Sequence, residues 1–171
     1  MASPFYKYTI PTFSNGLKNL THILKEAETY AKQNNISPDE LLDARLVEDM
    51  QPLAFQILTA AENVTKTLAR ATFVEPAARQ EPAKTFEGLY KQIDAALAEL
   101  EKADPVQIAN NEGKVFQAPI GPLMFDYTIE DYAVKFAIPN FYFHVTTAYA
   151  ILRAKGVKLG KKDFLNELVA K

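Results

Sequence analysis

The sequence predicts an all-α fold: a four-helix bundle with a long crossover and a small β-hairpin inserted before the last helices. Three observations lead there. Four long segments carry apolar residues at spacings of three and four, the period of a helix with one buried face. An aperiodic stretch holding Pro76 and Pro82 runs from Thr72 to Lys84, between the second and third of these segments. Two short apolar runs flank Gly121-Pro122 ahead of the fourth. Each helix hides only one face, so the four stripes are buried only by packing against one another.

The first stripe is Leu17, Leu20, Leu24, Ala27 and Ala31, with Ser14 as the expected N-cap and Asn34-Asn35 as the exit. Ser37-Pro38-Asp39-Glu40 is a compact start signal in which serine caps, proline suits the first helical position and Glu40 occupies the capping-box position. It predicts a short helix to about Leu46, followed by a junction at Asp49-Met50-Gln51-Pro52. Pro52 then opens the second long helix, with Ile57, Ala61, Val64 and Leu68 on its buried face. The third begins at Thr85, buries Phe86, Leu89, Ile93, Ala96, Leu97 and Leu100, and is stopped by Asp104-Pro105.

Lys114 to Ala118 and Leu123 to Tyr127 predict the hairpin laid over the bundle. Thr128 is the expected cap of a helix to Ala137, which Pro139 interrupts or kinks. The fourth long helix carries Phe141, Val145, Ala148 and Leu152, with Gly156 at its C-cap.

Composition sets the bounds on function. With 171 residues, 48% hydrophobic and 23% charged, the chain is expected to form a single domain over residues 1–171 with a sizeable core. Nineteen basic against twenty-one acidic residues leave a net charge of −2, which argues against a nucleic-acid partner. The absence of cysteine excludes disulfides, thiolate metal sites and cysteine nucleophiles. No segment approaches the roughly 18 apolar residues of a membrane span, and Met1 to Tyr6 has no signal-peptide pattern. A cytoplasmic location is therefore expected. The sequons at Asn19 and Asn63 fall inside helical patterns and are read as chance.

Chemistry concentrates in Pro139 to Arg153. Asn140, His144 and Thr147 share one helical face beside the apolar stripe, so they point toward the bundle interior, where buried polar groups need partners. Two readings fit: a pocket floor with His144 as base, donor or ligand, or a hydrogen-bonded core histidine. Arg45, Asp49, Gln51 and Gln56 form a second constellation, with Arg45 and Asp49 at i,i+4 spacing, either a clamp at the helix junction or a charged floor presented to a ligand. Gln56 stands out because an inward amide needs a partner. His22 is read as a boundary residue. Gly156 to Lys162 falls short of a phosphate loop by one residue and a missing Ser or Thr. Aromatic residues crowd the C-terminal third, Tyr149 among them, and suit a core, an apolar pocket or a dimer face.

Several of these segments resemble a known family. They are Ala44 to Leu53 with Gln56, Lys84-Thr85-Phe86, Pro139 to His144 continuing through Arg153, and Gly160 to Leu165. The chain resembles the uncharacterised DUF1993 family, grouped with the DinB/YfiT-like superfamily. That resemblance implies a four-helix bundle with a crossover and, often, a homodimer. In the wider superfamily it implies three metal-binding histidines, one on the second helix and two spaced by four on the fourth. Here His144 matches the later fourth-helix position and Asn140 the earlier one, while Gln56 or Asp49 stands nearest the second-helix position. One imidazole with two amides is a poor zinc or nickel site.

The expected function is therefore binding of a small, partly apolar molecule in an inter-helix pocket, with no catalytic metal. The candidate ligand-binding residues are His144, Asn140, Thr147, Tyr149, Arg45, Asp49 and Gln56. The alternatives are a degenerate metal-dependent transferase or isomerase centred on His144, or a purely structural homodimer.

Overall fold

The computed structural model describes residues 3–166, arranged as four long helices with a two-stranded hairpin and short connecting helices. The first helix, α1, spans Pro4–Asn34 and so begins ten residues before the Ser14 that its sequence suggested. Ser3 is the cap instead: its hydroxyl accepts from the Tyr6 amide, and Pro4 takes the first helical position. Pro11 lies inside the helix without ending it. The burial of Phe5, Thr9 and Phe13 extends the apolar stripe upstream by whole turns, which outweighs one missing hydrogen bond. Asn35, with φ at 55°, ends α1 as expected.

Ser37 caps the short α2, Pro38–Leu42, whose last turn is shorter than predicted. Residues Asp43 to Pro52 form a loop, clipped by the Leu53 amide donating to the Ala44 carbonyl at 2.9 Å. Next, α3 spans Leu53–Ala71, and the crossover from Thr72 to Thr85 follows without regular structure. Thr85 caps α4, Phe86–Glu101, through the Gly88 amide. Asp104-Pro105 both stops α4 and opens α5, Pro105–Ala109, with the Asp104 carboxylate accepting from Val106. The proline signal had suggested only the stop. Strands β1, Val115–Ile120, and β2, Leu123–Thr128, pair antiparallel from Val115↔Thr128 to Ile120↔Leu123. Gly121, at φ 59°, takes the first position of the two-residue turn.

Thr128 caps α6, Ile129–Tyr132, which runs through a π-helical stretch, Ala133–Ala137, into α7, Ile138–Ala154. Pro139 accounts for this irregularity. It cannot donate to the carbonyl of Lys135, and its ring crowds that group unless the turn widens. Gly156, at φ 92°, lets the Val157 amide reach back to the Leu152 carbonyl and close α7. A final short helix, α8, Lys161–Phe164, has no counterpart in the sequence reading.

The stripes meet in one core built on Leu17, Leu20, Leu24, Ile57, Val64, Leu89, Ile93, Phe141, Val145 and Leu152. α1 packs tightly on α7 at Gly16, where a Cβ would lie 2.3 Å from the Phe141 ring. A satellite cluster of Phe5, Ala71, Ile108, Ile129 and Ala133 lies beneath the hairpin, joined by Phe116.

Candidate functional site

The site lies along the antiparallel seam of α3 and α7. Its first rung joins Asn63 to Asn140: the Asn140 amide donates to Asn63 Oδ1 at 3.2 Å, and Asn63 Nδ2 donates to the Ala137 carbonyl at 2.7 Å. Its second rung joins Gln56 to His144, with Oε1 and Nδ1 2.7 Å apart. Asn63 and Gln56 lie seven residues apart, two turns on one face of α3, and Asn140 and His144 four apart on α7. Each rung satisfies groups that the apolar core would otherwise strand.

The second rung also fixes a proton. Gln56 Nε2 donates to the Gln51 carbonyl at 2.9 Å, which turns Oε1 toward the histidine. The hydrogen therefore sits on His144 Nδ1, and Nε2 carries the lone pair. Burial, aided by the positive charge of Arg79, lowers the pKa of His144 to about 4. At neutral pH this imidazole is an uncharged acceptor.

Below the first rung opens a cleft of about 840 Å³ between α3, the crossover, the hairpin and the start of α7. Its polar wall comes from Thr59, Glu62, Lys66 and Arg70 on α3, with Arg79 from the crossover. Phe73, Phe116, Tyr132 and Phe136 supply the aromatic wall, and Asn63 and Asn140 lie at the seam. Glu62 straps the crossover down: it accepts from Lys66 at 2.8 Å, from Arg79 at 3.3 Å and from the Gln80 amide at 2.7 Å. The Arg79 guanidinium also reaches Thr59 and stacks 4.5 Å from the centre of the Phe55 ring. Arg70 donates to the Tyr132 hydroxyl, and burial holds that phenol above its ordinary pKa. A smaller cavity of about 230 Å³ lies between α1, α7 and the residues of α8.

Of the residues singled out from sequence, Asn140 lines the cleft, and His144 with Gln56 forms the rung one turn away. The others fall elsewhere. Thr147 donates to the Phe143 carbonyl of its own helix, and Tyr149 faces the C-terminal segment, at 3.4 Å from the Leu159 carbonyl and edge-on to Phe164. Arg45 and Asp49 are exposed on the Asp43–Pro52 loop, where Arg45 donates to the Met50 carbonyl rather than pairing with Asp49. His22 is a boundary residue that bonds Asp163 at 3.1 Å, tying α8 to α1. Sequence reasoning missed Asn63, Glu62, Lys66, Arg70, Arg79 and Tyr132. The seven-residue spacing from Gln56 marks Asn63. Nothing local marks Arg79, which the crossover brings in from outside the helical pattern.

The three-histidine metal centre implied by the superfamily resemblance does not fit these side chains. Among the described residues no group of three or more His, Asp or Glu converges as a metal requires. Nearest the seam, Gln56 Oε1 and Asn63 Oδ1 already accept from His144 and Asn140, which leaves the lone pair on His144 Nε2 with no second imidazole or carboxylate beside it among the described residues. No helix among the described residues is long and apolar enough to cross a membrane.

Comparison with known proteins agrees with this architecture. A crystal structure at 1.83 Å of a DinB family member protein from Shewanella denitrificans is similar over 94% of this chain and 90% of its own, with 35% identity and a TM-score of 0.82. No curated protein matches the chain. The family described as a domain of unknown function, DUF1993, matches residues 5–165. The chain thus belongs to the DUF1993 family and has a DinB-like helical-bundle fold.

Proposed function

We propose that this protein binds a small, partly apolar molecule in the α3–α7 cleft, and does so without a catalytic metal. The observation that carries the reading is the cleft itself. Its volume of about 840 Å³ falls within the few hundred to a thousand cubic ångströms typical of small-molecule sites. It combines an aromatic wall with polar groups at fixed positions, the pairing that gives such sites both affinity and orientation. Asn140 orients the ligand directly, and the His144–Gln56 rung holds the helix that presents it.

The test is a thermal-shift screen of small molecules against the protein and an Asn140→Ala variant. A ligand that raises the melting temperature of the parent by several degrees and loses that effect in the variant supports the reading. Compounds that stabilise both proteins equally, or a library that stabilises neither, would overturn it.

A second reading, a structural homodimer, is favoured by the hairpin. Val115, Leu123, Met124 and Phe125 are exposed there, with Val115 and Leu123 each 59% accessible. Light scattering checks it: a dimer that Leu123→Lys with Val115→Lys turns into a monomer supports assembly through this surface, and a monomeric parent excludes it.

A further inference from the structure

Resting on the reading of the cleft as a small-molecule site, we infer that its ligand is an organic monocarboxylate with a flat apolar body, anchored by Arg70. Charge is the first argument. Lys66, Arg70 and Arg79 line the cleft against the carboxylates Glu62 and Glu75, leaving one positive charge over. Glu62, nearly buried, already serves two of the cations, Lys66 and Arg79, and the Gln80 amide. Its desolvated carboxylate keeps those partners committed. Arg70 differs: among the described residues it has no carboxylate partner, and its hydrogen bond goes to the neutral phenol of Tyr132. A phenol satisfies one N–H and leaves the charge unbalanced. The rest of the planar fork is the geometry that grips a carboxylate in two parallel bonds.

The surroundings of Arg70 define the rest of the ligand. Its guanidinium lies 4.8 Å from the centre of the Tyr132 ring, and Phe116 stands edge-on to that ring at 5.4 Å and to Phe73 at 6.0 Å. This interlocked aromatic wall suits a flat apolar surface extending from the acid group. One surplus charge matches a carboxylate, whereas a phosphate dianion would bring a second negative charge with no cation to meet it.

Binding of 2-naphthoate, 2-naphthamide and 2-naphthylmethylammonium to the full chain, followed by calorimetry, tests the inference. The expected result is that naphthoate binds about ten-fold or more tighter than the amide, with no measurable binding of the cation. Arg70→Gln should abolish the preference, so that acid and amide bind alike, and Arg70→Lys should restore part of it. The comparison of acid with amide on the parent needs no variant, so it stands even where Arg70→Gln folds poorly. Equal binding of acid and amide would overturn the carboxylate inference and leave the small-molecule reading intact. Failure of every probe, together with a blank thermal-shift screen, would overturn both.

Discussion

His144 and Gln56 hold each other across the α3–α7 seam at 2.7 Å, and through that bond a loop carbonyl, Gln51, dictates which nitrogen of the imidazole is protonated. The chain of donors runs from the imidazole to the glutamine to the loop backbone, so loop, helix and ring are set together.

The first consequence is a pH dependence of stability. The folded protein keeps His144 neutral down to about pH 4, whereas the unfolded chain takes up the proton near its ordinary value of about 6.5. Stability from this group is complete above the unfolded value and is lost as pH falls from about 6.5 toward 4. Between pH 7.5 and pH 5 the loss should be about 2 kcal/mol by urea unfolding. His144→Gln should show a correspondingly shallower decline, and parallel curves for the two proteins would disprove the assignment.

The two rung asparagines should differ in weight. Asn63→Ala removes two bonds at a buried position, one to the Ala137 carbonyl and one from Asn140, and should cost about 1–3 kcal/mol. Asn140→Ala loses one bond at a partly accessible position and should cost about 1 kcal/mol or less. A double-mutant cycle in denaturant should return a coupling of about 0.5–1 kcal/mol.

Gly16→Ala should destabilise the bundle by about 1–3 kcal/mol, because its Cβ would enter the Phe141 ring space. Phe141 also packs edge-on to Phe13 at 5.1 Å, so the ring has little room to yield. Pairing the change with Phe141→Leu should recover part of the loss, read as a shift in the urea midpoint.

Glu62→Gln should loosen the crossover without unfolding the bundle. The substitution removes the charge that holds Arg79 and Lys66. Limited trypsin digestion should then cut after Arg79 several-fold faster than in the parent, while circular dichroism keeps the helical signal. Unchanged cleavage would mean that the Phe55 stacking and the bonds of Arg79 to Thr59 and of the Gln80 amide to residue 62 hold the strap without the charge.

The apolar stripes of all four long helices were legible in the sequence because a period of three and four is a local property. The start of α1 was not. Ser14 stands as a local cap signal, and only the tertiary burial of Phe5, Thr9 and Phe13 carries the helix upstream through Pro11. The site divides in the same way. Asn140 and His144 declare themselves by spacing on one helix. Their partners on α3 appear only once the antiparallel register of α3 and α7 is known. Arg45 and Asp49 suggested a pair by spacing, yet the helix ends at Leu42, so the i,i+4 geometry never forms. Arg79 belongs to an aperiodic segment, and its place follows from the buried carboxylate that recruits it.

The two rungs join residues 77 and 88 positions apart, with the crossover, α4 and the hairpin threaded between. Closing so long a loop costs chain entropy before any rung repays it. The seam is therefore expected to zip late in folding, after α4 and the hairpin have shortened the effective loop. A partly folded chain accordingly has no cleft, so ligand-competence is a readout of completed topology rather than of helix content.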